Sequence, residues 1–585
     1  MDSGRNLKAF RFSILLLLGL LVFTVATWPL ARHPRSTMPH HPRKPGRPAI
    51  VQFEPGDHLQ LLYHFWLCRD AIAGHTPAFT NPYEFNFTPD AERRRLMTYY
   101  IPFSIVYAAV SPLAGHAAGW NTAILASHLL GLLGFYLLAH RFFKSPLVSC
   151  ALACAAASFP FKWLNLFSGS PTGFAMAFVP WVFYGVDRAV RDNSSRGGLI
   201  AAVALLLANT SDAHTFFFAV LSLPFAIVFS WLSMPEGRTI SWRGLCRVWA
   251  PFAIFAAICV AIGLASMLGM SASSVGEGRN LDEVALYSPS LKGLLTRSFV
   301  PFTRASRIYV GWAFAAAFPC AFVSFLVSGK RRRNQRLLAR LALLAIACVA
   351  LLVLALGTNC PFLGDLPIRM ARAIIPGYGM IRQTDKILCL APTLPILLAA
   401  AAFSDPCEGM SQPGGRSMEL VRDAFIVLFA AAMTLEQAPH FQPRLCSIPT
   451  EWTAYAAVAA DADGHPPKAV CVPVLRGDVP MASFYEWGVM QSRVRLMGGY
   501  SAAYDRKYTT DVYRPTRLLD RGILDDSNIQ ILQNLGCTHL ILHYSLFRNK
   551  SNGEAAKNRF KRNPALRLLD DDRRNGIASF AIVFQ

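Results

Sequence analysis

The 585-residue sequence is poor in charge: Asp, Glu, Lys and Arg together make 16% of it, where soluble globular chains run near a quarter. With 53% of residues hydrophobic, an ordinary soluble enzyme is excluded. Acid is scarcer than base, 35 Asp+Glu against 57 Lys+Arg, and the formal net charge is +22. A nucleic-acid binder would carry that excess on a polar surface, whereas here it lies between long uncharged runs, so nucleic acid is not an expected partner. A phosphate-binding Gly-x-x-x-x-Gly-Lys-Ser/Thr is missing, and no Gly-x-Gly-x-x-Gly follows a strand. An ATP-driven pump or a sugar-nucleotide enzyme therefore has no support. No Cys-x-x-Cys pair occurs either. The 13 cysteines, an odd number, lie mainly in apolar stretches (Cys150, Cys154, Cys259, Cys320, Cys348) and read as small buried hydrophobes.

What is present is a series of uncharged stretches long enough for a bilayer core about 30 Å thick, which needs roughly 20 residues of helix. Phe12 to Ala31 comes first, after Arg5, Lys8 and Arg11; its Trp28-Pro29-Leu30 end lacks a small-residue cleavage site, so it reads as a retained anchor. Leu96 to His140 contains no charged residue, and further stretches run from Ser145 to Phe161, Trp163 to Val186, Gly197 to Ser211, Ala213 to Pro235, Val248 to Gly276, Tyr309 to Gly329, Leu341 to Gly364, Ile387 to Ser404 and Ala424 to Leu435. Lys330-Arg331-Arg332-Arg333 marks the cytoplasmic side. Counting from it puts 33–96, 277–307, 358–386 and everything after Glu436 outside, with about 11 crossings. That count holds if Met97 to Leu113, short and interrupted by Pro102 and Pro112, lies in the interface or re-enters. The expected fold is mainly α: a polytopic helical membrane domain over 1–436, then an extracytoplasmic α/β domain over 437–585. In the tail, Ala469 to Leu475, Thr538 to His543 and Ile577 to Phe584 have strand length and strand residues. Thr37 to Pro48, rich in Pro, His and Arg, reads as an irregular lead into the first outer loop.

That loop carries the first chemistry. After Pro55-Gly56, residues Asp57 to Ala73 have helical spacing, with Leu61, Phe65 and Ile72 on an apolar side, Gly74 as a stop and Pro77 beyond. Asp57 at the helix start would be favoured by the helix dipole, and read alone it is an N-cap.

An acid in a long outer loop after a first transmembrane helix, followed by an aromatic-rich helix ending at Gly-x-x-Pro, resembles the GT-C superfamily of multi-pass glycosyltransferases. The closer likeness is to uncharacterised bacterial YfhO-like membrane proteins. Gly131-x-x-Gly134-Phe135-Tyr136-Leu137, Ser158-Phe159-Pro160-Phe161, Pro180-Trp181, Ala355-Leu356-Gly357, Pro376-Gly377-Tyr378-Gly379-Met380-Ile381-Arg382 and Gly498-Gly499-Tyr500-Ser501 also look like that branch. The resemblance implies a GT-C-like transmembrane domain at the bacterial inner membrane. It also implies sugar transfer from a polyprenyl-phosphate donor to a glycan, lipid or protein acceptor on the periplasmic side, with Asp57 taking the acceptor proton in an inverting displacement. Some relatives use a divalent metal with further carboxylates; here Asn165 to Thr172 contains no acid, so no cofactor is assigned and a metal stays open. The tests for ligands would be Asp212 and His214 beside Asp57.

A lipid phosphate leaving group calls for cations near the outer interface. Arg382, Lys386 and Arg372 are the candidates, Arg382 foremost because it follows a Pro-Gly-x-Gly turn; interfacial Arg and Lys also simply snorkel to headgroups. His58, Lys162, Asp212 and His214 are candidates for binding substrate. Asp212 and His214 form a polar hairpin tip between two spans, and Lys162, with Trp163 and Asn165, is placed in an outer loop after Pro160, where an aromatic anchor is an equally economical account. Glu277, Asp282 and Glu283 read as solvated loop charge, and Tyr485, Trp487 and Tyr500 as core. A transporter or flippase of lipid-linked glycans, or an assembly factor, is the rival reading, but paired broken helices and acids within spans are not evident.

Overall fold

The computed structural model of the chain describes residues 3–42, 46, 48–88, 99–234, 246, 248–250, 252–259, 261–262, 278–295, 308–327, 335–404, 415–437, 442–449, 451–461, 466–501 and 503–583. Glu277, read as solvated loop charge, and the basic marker Lys330 to Arg333 lie outside these residues. Helix α1 (Ser3–Thr27) leads into the segment expected as the first outer loop. There Thr37 to Pro42 is strand β1, not irregular chain. Its local composition favours turns, but a distant partner overrides it: β1 runs antiparallel to β3 (Pro443–Ser447), and β2 (Ile50–Val51) runs parallel to β3 on the other edge. Helix α2 (Asp57–Ile72) follows and ends before Gly74, whose φ of 78° favours a residue without Cβ. It is buried on nearly every side, from His58 to Cys68, so it is a core helix and not an amphipathic one.

Helix α3 (Phe103–Ala114) has 12 residues; at 1.5 Å per residue it reaches about 18 Å, too short to cross. Helix α4 (His116–His140) is long enough. Helices α5 (Pro146–Ala157) and α6 (Pro160–Phe167) are apolar enough together for a span and meet at a 46° bend, with Ser145 capping α5 through the Val148 amide and Pro160 at the first position of α6. Lys162 and Trp163 are therefore not in an outer loop. They are buried on α6, where the Lys162 ammonium lies 3.1 Å from His128 Nδ1 on α4, and His128 Nε2 lies 3.0 Å from the Gly19 carbonyl of α1. Helices α7 (Val179–Arg191), α8 (Ser195–Ser211) and α9 (Ala213–Leu221) continue the bundle. At the end where α4 and α7 both finish, Arg141 bonds Asp187 at 2.6 Å and Asp192 at 2.8 Å.

By length and composition, three helices of the described residues can cross singly, His116–His140, Gln335–Asn359 and Thr384–Phe403. The two bent pairs, α5 with α6 and Ala213–Leu221 with Leu223–Leu232, raise the number to five at most. The expected count of about 11 crossings takes in uncharged stretches some of which, such as Val248 to Gly276, run outside the described residues. Proline divides several of them: Pro160, Pro171, Pro180 and Pro224 each stand in the first turn of a new, shorter helix. Beyond the bundle lie α10 (Leu281–Tyr287), α11 (Gln335–Leu356) and α12 (Leu366–Ile374).

The tail holds a five-stranded mixed sheet in the order β5 (Arg495–Leu496), β4 (Lys468–Val472), β6 (His539–Leu542), β8 (Ile577–Ile582), β7 (Leu566–Asp572). β4 and β6 are buried along almost their whole length, as parallel neighbours covered on both faces should be. Helix α13 (Ser483–Ser492) lies beside α2 and carries this domain against the first outer loop.

Candidate active site

Asp57 is the first residue of α2, with Gly56 in the cap position, and among the described residues its side chain bonds no helix amide. The exposed carboxylate is instead met by the tail: the Tyr500 hydroxyl donates to Asp57 Oδ1 at 2.6 Å. Among the described residues no hydrogen bond reaches Oδ2, so one oxygen remains open. Tyr500 is itself held at both backbone ends. Its amide donates to Glu84 Oε1 at 2.9 Å, and its carbonyl accepts from the side-chain amide of Gln60, one turn along α2 from Asp57. Gly499 is required there, since a Cβ would strike Glu84.

Glu84 and Glu486 face each other beside Tyr500; both are buried, Glu486 completely. Burial pushes Glu84 up to about 7, against the hydrogen bonds from Tyr500 and Asn81. Burial and the facing Glu84 push Glu486 well above the carboxylate range. Two carboxyls so placed share protons near neutral pH. The negative charge of Asp57 bears on Glu486, Tyr100 and Tyr500, and burial together with that charge keeps the Tyr500 phenol protonated.

His58, adjacent in sequence, points the other way. It is fully buried, its Nδ1 is 3.1 Å from His40 Nδ1, and its Nε2 has no partner among the described residues. His40 Nε2 lies 3.0 Å from Glu54, which Arg444 also bonds at 2.8 Å. Burial, then Arg444, pushes His40 down to about 4; burial and its two histidine neighbours push His58 well down as well. Both rings are neutral at pH 7. His58 thus belongs to a buried network behind Asp57, not to its open side.

Asp212 is the N-cap of α9, accepting from the Thr215 amide at 2.9 Å and hydroxyl at 2.8 Å, with His214 Nδ1 3.3 Å away. It is a buried cap, not a solvated turn. Burial opposes its charge, but His214, Lys386 and Thr215 outweigh that and hold the carboxyl well below its ordinary range. Its oxygens are thereby occupied. Among the described residues no three His, Cys, Asp or Glu side chains gather as metal ligands. The expected pair Asp212 and His214 thus lacks a third ligand among them.

Arg382 does lie toward Asp57: its charge bears on the Tyr500 hydroxyl and on His214. It stacks over Tyr287 at 4.6 Å and lies 3.5 Å from Glu283, which Arg279 also bonds at 3.0 Å. Glu283 is therefore a shared partner of two guanidinium groups, not solvated loop charge, and the trio keeps one net positive charge. Lys386 is nearly buried and its charge acts on Asp212 and His214. Arg372, on α12, has Nε and Nη2 buried without partners among the described residues.

The structure thus brings Asp57, Arg382, Lys386, Asp212 and His214 into one electrostatic neighbourhood and leaves Lys162 and His58 in the interior. Gln60, Glu84 and Glu486 were not singled out from the sequence. An acid inside the apolar run Phe484-Tyr485-Glu486-Trp487 was the available signal. Tyr485, Trp487 and Tyr500 are all buried in the core, as expected, but the Tyr500 hydroxyl also ends on the acid.

No protein family matches the sequence, and no curated protein does. Solved structures do match. The chain is similar to the arabinofuranosyltransferase AftD from Mycobacteria, at 14% identity and a TM-score of 0.56 over 98% of this chain and 40% of that one. A mutant form of the same protein matches at 15% identity and a TM-score of 0.55, covering 98% and 41%. This chain therefore spans about 40% of the length of AftD. ArnT from Cupriavidus metallidurans, bound to undecaprenyl phosphate, aligns at 10% identity and a TM-score of 0.45 over 99% and 98%. The apolar helices are those of an integral membrane protein, and the likeness to AftD shows that the chain shares its fold.

Proposed function

We propose that the protein is a membrane glycosyltransferase that moves a sugar from a polyprenyl-phosphate carrier to an acceptor of the cell envelope, at the periplasmic face of a bacterial inner membrane. One observation carries the reading: Asp57 is exposed, is not used as a cap, and is gripped through Oδ1 by the Tyr500 hydroxyl, a group on which the charge of Arg382 also bears. In the reaction the acceptor hydroxyl oxygen bonds to the anomeric carbon as the bond from that carbon to the carrier phosphate breaks. The phosphate leaves with the electron pair, and the hydroxyl proton passes to Asp57 Oδ2. Attack opposite the leaving group inverts the anomeric centre. Arg382 and Lys386 are the cations available to the departing phosphate, with Arg372 farther along the same loop. The base need not be strong; its fixed position is what matters.

The test is sugar transfer from a polyprenyl-phosphate donor in membranes holding each variant at equal abundance. Asp57→Asn should lose transfer by about 100-fold or more, the range for a positioned general base. Tyr500→Phe should lose about tenfold, the effect of removing one hydrogen bond to a charged group. Transfer by Asp57→Asn at the parent rate would remove the acid from the mechanism.

A further inference from the structure

Helix α12 buries Ile368 and Ala371 against the protein, yet on its opposite side Leu366, Met370 and Ile374 form an exposed ridge at the four-residue spacing of one helix face. The ridge continues into the turn before it: Leu363 is exposed, and Phe362 is fully so, held at a left-handed φ of 64° that a bulky side chain seldom adopts. The bridge between Cys360 and Gly364 closes this turn. Charge is confined to the flank, where Arg369 and Asp365 pair at 2.7 Å. Five large apolar side chains projecting together from a polar framework mark a surface that is not meant for water.

Their place in the fold says what covers them. Helix α11 has 22 residues, about 33 Å of helix, enough for the hydrocarbon core. It exposes Leu338, Ile346 and Val349 along its length, the lipid-facing surface of a span. The ridge begins at Phe362, six residues after α11 ends, and α12 packs back beside that end. It is therefore continuous with a surface already in lipid, at the depth where a span emerges.

We infer that α12 and its preceding turn form a membrane-interface anchor. Phe362, Leu363, Leu366, Met370 and Ile374 sit among the acyl chains of the leaflet at which α11 emerges, and the Asp365–Arg369 pair lies at headgroup level. The helix lies in the interface plane and does not cross it. This assignment stands apart from the proposed transferase activity.

The full-length protein is placed in nanodiscs of phosphatidylcholine with either ordinary or brominated acyl chains. Met370→Trp and Leu366→Trp each add a reporter at an exposed position, read as the difference from the parent; Arg369→Trp serves as the flank control. Most of the added emission at 370 and 366 should be lost in brominated discs, with much less lost at 369. Emission at 370 and 366 that is red-shifted and unquenched would place the ridge in water and overturn the anchor. Emission that is blue-shifted but unquenched, with a doubled particle mass, would mean a second copy covers it, and would overturn it equally.

Discussion

Asp57 occupies a position where a helix welcomes an acid for its dipole alone, so its chemistry is decided by what else touches it. A Tyr500 hydroxyl on one oxygen orients the carboxylate, and the Glu84–Glu486 pair beside it holds Tyr500 in place. The pair makes stability depend on pH with a definite sign. Glu84 is raised from 4.5 to about 7, so between these values the folded protein keeps a proton that the unfolded chain has released. Stability then falls as pH rises through this window, and the loss is complete above it. Thermal unfolding in detergent should show a lower midpoint at about pH 8 than at about pH 5, with Glu486→Gln flattening the difference. A parent midpoint that does not fall, or a variant with the parent's slope, would show that the pair is not the source. Glu486 lay open to inspection as an acid among aromatics, but its partner is over 400 residues earlier in the chain, and no local pattern connects them.

Helix α2 was legible because its signals are local: Pro-Gly before it, helical spacing within it, Gly74 after it. Its seating was not. Gly169, with φ of 72°, follows α6 and lies against the backbone of His58, leaving no room for a Cβ; Gly74, at 78°, has nothing nearby. Ala at either position suffers the left-handed conformation, about 1–2 kcal/mol. Gly169→Ala should cost about 1–3 kcal/mol beyond Gly74→Ala, since the turn after α6 must also move off α2. Equal melting temperatures for the two variants would show that the close approach is not constraining. The strand β1 makes the same point in reverse: its composition argues for a turn, and only the pairing to β3 makes it a strand.

Across the whole molecule, the segments after the Lys330 to Arg333 run should cross the membrane an odd number of times before the tail. Alkaline phosphatase fused after Gln585 should then be active, and inactive when inserted at 330–333; activity at both would place loop and tail on one side. Composition, uncharged run length and period-two runs of strand residues settle partition into the bilayer, the helical class, the tail strands and the helix that begins at Asp57. Each depends on neighbours within a turn or two, and neighbours are written in order along the chain. Only the tertiary structure decided that Tyr500 ends on Asp57 across 443 residues, that β3 joins the first outer loop, and that Lys162 turns inward to His128. Contacts between remote segments follow from how buried surfaces fit together, which is a property of the packed molecule and not of any stretch of its sequence.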